Sequence, residues 1–128
     1  MNIVMLDSAQ LTGEADFPDI NLNKYGWQQF LSLDEGEIEE RCWRADIVIS
    51  AKTPVTSNII NNAFKLKLII AAGDSTGHID HAAAAARDIP VVNVAGEQGD
   101  TAESTRQICQ QVCEQINQWL NSQDISQT

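Results

Sequence analysis

Three runs in this chain, Ile47-Val48-Ile49, Leu68-Ile69-Ile70 and Val91-Val92, are apolar on successive residues and rich in β-branched side chains. A strand with one face in water alternates apolar and polar residues; a strand covered on both faces has no such need. Each run is separated from the next by a stretch long enough for one helix. Two-sided strands that alternate with helices point to a parallel sheet held between two helical layers.

Extended along the chain, the pattern predicts strands over 3–7, 27–33, 46–50, 67–72 and 91–94, the second of them alternating and therefore at an edge. The predicted helices are four. The first spans 35–44, with Asp34 as N-cap and Ile38, Cys42 and Trp43 inward. The second spans about 56–63, capped by Thr56 or Ser57, with Ile59 and Ile60 inward. The third, 78–87, carries the run Ala82–Ala86, small enough to pack close to the sheet. The fourth, 101–120, places Ile108, Cys109, Val112, Cys113, Ile116, Trp119 and Leu120 at i, i+3, i+4 spacing. Residues 12–25 contain Gly13, Pro18 and several Asp and Asn, and are expected to be irregular with a short helix near the end. Residues 121–128 read as a frayed polar tail. This order of elements predicts an α/β, flavodoxin-like, doubly wound fold, with a five-stranded parallel sheet of order 2-1-3-4-5 in one domain over 1–120.

The net charge is −10. Nucleic acids and anionic membranes reward clustered cations, so neither is an expected partner. No apolar run approaches the roughly 20 residues of a membrane span. Met1–Asp7 has no basic region or cleavage site and reads as a strand rather than a leader, so a cytoplasmic location is expected. The three cysteines, an odd number, suit a reducing compartment. Cys109 and Cys113 would share one helix face, but no second pair has metal-ligand spacing and both lie in the apolar stripe. They are read as core, with no metal expected.

Ligands of an open parallel sheet bind beyond the carboxyl ends of its strands. Those ends here carry Asp7-Ser8, Ala51-Lys52-Thr53, Ala72-Gly73-Asp74-Ser75 and Val94-Ala95-Gly96. Lys52 is the one cation among them and could hold a carboxylate. His78 reads as structural and His81 as a surface helix residue. The glycines at 13, 26, 36, 73, 77, 96 and 99 never form Gly-x-Gly-x-x-Gly, and no Gly-Lys-Ser/Thr loop exists. Ser8–Gly13 lacks the phosphate cradle of flavodoxins, so FMN is not expected. A response-regulator reading fails because the third strand ends in Ser50 and no Lys follows Lys67.

Ser50-Ala51-Lys52-Thr53-Pro54, Leu66–Ile70, Gly73-Asp74-Ser75-Thr76-Gly77-His78-Ile79-Asp80 and Ile89-Pro90-Val91-Val92-Asn93-Val94 form an ordered series. It resembles the first domain of the D-isomer-specific 2-hydroxyacid dehydrogenases, and most of all the glycerate dehydrogenase/hydroxypyruvate reductase branch. The resemblance covers residues 2–106. It implies the same fold, a nicotinamide cofactor (NAD or NADP) held by a second domain, and a substrate carboxylate held by the loop after the fourth strand and its neighbours. On that basis the candidate substrate-binding residues are Lys52, Gly73, Asp74, Ser75 and Thr76. In the family that loop uses a Gly followed two residues later by Asp. Those positions here hold Ser75 and Gly77, and Asp74 adds a negative charge where an anion would sit. The family's catalytic Arg, Glu and His belong to a region not matched here, so no catalytic residue is assigned; Arg106 does not fit by spacing. Thr101-Ala102-Glu103-Ser104 resembles the helix leading into the nucleotide domain, and Ile116–Leu120 the family's closing helix, as if the middle had been excised.

The expected function is a stand-alone substrate domain, without autonomous hydride transfer, that binds a small carboxylic acid or acts as a regulatory module, and no cofactor is expected on this chain. One alternative is half of a split oxidoreductase working with a separate nucleotide-binding chain. Another is a structural protein that dimerises. If Trp119 and Leu120 lie past the sheet edge, the apolar stripe exceeds what one sheet face needs, which predicts a homodimer with Trp119 in or near the interface.

Overall fold

The computed structural model describes residues 1–123. The elements are β1 (Asn2–Met5), a 3-10 turn (Ser8–Gln10), β2 (Gly26–Gln29), α1 (Glu35–Cys42), β3 (Ile47–Ser50), α2 (Ser57–Asn62), β4 (Leu68–Ala71), α3 (His81–Ala86), β5 (Val91–Asn93) and α4 (Ala102–Ser122). The strands form one sheet of order β2-β1-β3-β4-β5, parallel throughout. This is the doubly wound α/β arrangement that the alternation predicts. Each strand is shorter than predicted, β2 most of all. Past Gln29 the chain still pairs, with Phe30 N–H donating to the Met5 carbonyl at 2.9 Å, but the 3-10 turn then takes over as its partner.

Period-two alternation sorts the strand side chains onto two faces. Ile3, Met5, Ile47, Ile49, Leu68 and Ile70 meet Ile108, Val112, Cys113, Ile116 and Leu120 of α4. Val4, Leu6, Val48, Ile69 and Ala71 meet Ile38 and Cys42 of α1, Ile59 and Ile60 of α2, and Ala84 of α3. One long helix therefore covers one face and three short ones cover the other. α4 is helped by the irregular segment after the 3-10 turn. The Cys113 thiol donates to the Pro18 carbonyl at 3.2 Å, Asn21 N–H donates to the Asn117 side chain at 2.7 Å, and Phe17 packs on Trp27 with ring centroids 5.0 Å apart. The short helix expected there does not form, because backbone groups of this segment are satisfied by α4 side chains instead.

Local chemistry sets the helix starts. Thr56 accepts from Ile59 N–H, Thr101 from Ser104 N–H, and Asp80 from Ala83 N–H. Asp34 stands at the N-cap of α1 but makes no side-chain bond there. The Asp80 cap moves the start of α3 from the expected residue 78 to His81, since His78 and Ile79 are drawn into a parallel bridge with Val55. Two expectations of burial fail. Trp43 is 55% exposed, because α1 ends at Cys42 and the chain turns away. Of the alanine run only Ala84 is buried, so α3 touches the sheet along a single line of residues.

The apolar stripe of α4 is consumed by the chain itself: Ile108, Val112, Ile116 and Leu120 are all fully buried, and Trp119 packs partly buried at the rim of the same cluster. Leu120 thus does not lie past the sheet edge. The helix continues through Ser122, so the first two residues of the expected tail are helical, and residues 124–128 lie outside the described ones. All three cysteines are free and buried. Burial pushes the Cys42 and Cys113 thiols up to about 12 and Cys109 to about 11. Among the described residues no helix is long and apolar enough to cross a membrane.

Candidate functional site

The carboxyl ends of β3 and β4 and the loop after β5 line an open cavity of about 410 Å³. Its lining includes Ala51 and Lys52 after β3, Ala72–Ser75, Gly77 and His78 after β4, and Gln98 and Asp100 before α4. Four of the five candidate residues, Lys52, Gly73, Asp74 and Ser75, therefore meet at one place. Thr76 is not part of the lining. Its carbonyl turns to the back of the loop, where it accepts from Ile79 N–H and from His81 Nε2 at 3.0 Å.

The Lys52 loop owes its shape to Asp7, 1% exposed at the end of β1. One carboxylate oxygen accepts from Ala51 N–H; the other accepts from Lys52 N–H, Thr53 N–H and the Thr53 hydroxyl, all at 2.8 Å. A buried carboxylate is tolerated where its lone pairs are met by donors, and here those donors are consecutive residues of one turn. The turn is closed from the other side by the Ser50 hydroxyl, which donates to the Thr53 carbonyl at 2.6 Å. Lys52 is held by its backbone while its exposed side chain stays free, and among the described residues it forms no ion pair.

The facing loop is anchored at both ends. Gly73 carbonyl accepts from Val94 N–H at 2.9 Å, and His78 Nε2 lies 3.1 Å from the Ser50 carbonyl, a bond the ring makes as donor. His78 has the structural task expected of it and also forms part of the cavity wall. Among the described residues only Asp88, Gly13, Gly96 and Gly99 have positive φ. Ser75 therefore sits in the loop without the conformational cost that a left-handed position would impose. A Cβ at Gly73 would stand 3.4 Å from the Glu97 carbonyl oxygen, in close van der Waals contact with it.

The roles of three residues of the site have no local signature in the sequence. Asp7 was visible only as the end of a strand, and its partners lie more than forty positions away. Gln98 and Asp100 belong to a loop that no pattern connects to β3. They reach the cavity because Gly99, at φ +72°, folds that loop back, with its N–H on Ser104 Oγ at 2.9 Å and its carbonyl accepting from Thr12 N–H.

The family model for the D-isomer specific 2-hydroxyacid dehydrogenases, catalytic domain, matches residues 4–127. The chain belongs to this family. It is 31% identical over 101 residues to a Haemophilus influenzae protein assigned to the 2-hydroxyacid dehydrogenases, covering 79% of this chain and 32% of that protein. Among solved structures it is similar to the NAD-dependent formate dehydrogenase of Staphylococcus aureus in complex with NAD, at 25% identity and a TM-score of 0.54, covering 76% of this chain and 32% of that one. It is also similar to the NAD+-bound 3-phosphoglycerate dehydrogenase of Entamoeba histolytica, at 22% identity and a TM-score of 0.57, covering 73% and 32%; this second likeness speaks to the fold. The chain thus spans 32% of the length of its curated dehydrogenase relative.

The two solved relatives hold NAD. A pyrophosphate is held by free N–H groups at the start of a helix behind a glycine-rich turn. The turn after β1 is occupied by the saturated Asp7 carboxylate and leads into a 3-10 turn. The long helix α4 opens on Thr101, whose hydroxyl already caps it, with Asp100 just before it and Glu103 in its first turn. Carboxylates at that position repel a pyrophosphate. Neither the turn after β1 nor the start of α4 fits a pyrophosphate.

Proposed function

We propose that this dehydrogenase-family domain binds a small carboxylic acid in the cavity between the 51–53 and 73–78 loops, and that it does not transfer hydride by itself. One observation carries the reading: Lys52 is fixed by its backbone to a buried carboxylate while its side chain stays unpaired at the cavity wall. Lys52 is the one lysine or arginine in the lining, so its ammonium is the group there that can meet a ligand carboxylate. The ligand carboxylate meets Lys52 on one side and the loop from Gly73 to Gly77 on the other.

Calorimetric titration with glyoxylate, hydroxypyruvate and glycerate, on wild type and Lys52→Ala, tests this. Saturable binding of at least one acid that weakens about tenfold or more in the variant supports it, the loss expected for one charge-assisted contact. Binding that ignores Lys52 refutes it. Saturable consumption of NADH with any of these acids by the pure chain would refute the second half.

A second reading, that the domain is one wall of a cleft completed by a nucleotide-binding chain, is favoured by the exposure of Lys52, Ser75, Gly77 and Asp100 around the cavity. Its test is hydride transfer on adding a nucleotide-binding partner; failure with Lys52-dependent ligand binding intact leaves the first reading alone.

A further inference from the structure

Resting on the carboxylate site just proposed, we infer that its preferred ligand is a 2-amino acid, a zwitterion, rather than a 2-hydroxy or 2-oxo acid. The cavity carries three charged side chains, Lys52, Asp74 and Asp100. Among the described residues none of the three pairs with another, and neither acid has a side-chain hydrogen-bond partner. Opposite charges that share a cavity without touching leave room for a ligand that bridges them. A simple carboxylate uses Lys52 and then faces two uncompensated acids in the same space of about 410 Å³. A molecule with an ammonium group next to its carboxylate answers both signs at once. A 2-hydroxyl can donate one hydrogen bond to Asp74 or Asp100; an ammonium at the same carbon donates up to three and brings a full positive charge to the two acids.

The acids are built into the site. Asp74 follows Gly73, and its carbonyl accepts from the Asn93 side chain at 3.2 Å, which ties the loop to the end of β5. Asp100 is brought in by the turn at Gly99 and sits beside the Thr101 cap of α4. Both loops are therefore held by backbone contacts independent of the carboxylates. Substituting the acids should leave the fold unchanged.

Serine and glycerate differ only in the group at carbon 2, ammonium against hydroxyl, and so isolate the inference. Each enantiomer of both is titrated calorimetrically into the wild type, Lys52→Ala, and the double variant Asp74→Asn/Asp100→Asn. The expected result is that serine of the preferred hand binds about tenfold or more tighter than the matching glycerate, as one charge-assisted contact would give. The double asparagine variant brings that ratio down to about one, and Lys52→Ala weakens both ligands. Glycerate binding as tightly as serine, or a ratio that survives in the double variant, overturns the inference and leaves the carboxylate site standing. If neither ligand binds and glyoxylate and hydroxypyruvate also fail, the site itself is refuted.

Discussion

Replacing Asp7 by Asn tests whether one buried carboxylate organises the ligand loop. Asn keeps the shape but has one acceptor oxygen, and its amide nitrogen must face at least one of the donors now pointing at Asp7. In the better orientation the amide oxygen keeps Lys52 N–H, Thr53 N–H and the Thr53 hydroxyl, while its NH2 meets Ala51 N–H head-on. A charge-assisted bond is worth about 1.5–3 kcal/mol, and loss of charge weakens the three that remain, so the cost should be on the order of 3–5 kcal/mol. For a domain stable by about 5–15 kcal/mol that is a large fraction. Thr53→Val, which removes only the hydroxyl, should cost about 1 kcal/mol. Urea unfolding measures both, and native-state hydrogen exchange at Ala51, Lys52 and Thr53 shows where the loss falls. An Asp7→Asn protein within about 1 kcal/mol of wild type, with those three amides still protected, would refute the reasoning.

Further expectations follow from single features. Gly99→Ala forces a side chain into positive φ, and its Cβ would stand 2.5 Å from Leu11 Cδ2; a loss of about 2–4 kcal/mol is expected by urea unfolding, and a loss under about 0.5 kcal/mol would mean the loop re-forms without strain. The buried cysteines should be inert to a thiol reagent at pH 8 in the native protein and react at once in denaturant. Because folding raises their pKa to about 11–12, the unfolded chain ionises first as pH rises. Stability should therefore hold below about pH 8.5, the ordinary thiol value, and fall from there until the folded values are passed; flat stability between pH 9 and 11 would contradict this. With Ile108, Val112, Ile116 and Leu120 buried within the chain, a homodimer would rest on the half-buried Trp119; sedimentation at tens of micromolar at twice the chain mass, reduced by Trp119→Ala, supports it, and a monomeric wild type dismisses it.

The sheet was legible in the sequence because its signals are local. Runs such as Ile47-Val48-Ile49 announce strands covered on both faces, and the stripe from Ile108 to Leu120 announces a helix that must cover one of them. Parallel pairing and the order 2-1-3-4-5 follow from that alternation and from the helices that separate the strands. A cap at Thr56 or Ser57 and the end of β3 were visible for the same reason: capping and strand-ending chemistry acts over three or four residues. Only the tertiary structure decided what depends on distant partners. Asp7 belongs to the 51–53 turn because β1 and β3 lie side by side. Asp100 lines the same cavity as Lys52 because Gly99 turns one loop back towards another. Trp43 lies outside and Leu120 inside because helix ends and sheet edges are set by how whole elements meet. Burial and charge pairing are properties of a place in space, and neighbours in sequence do not specify that place.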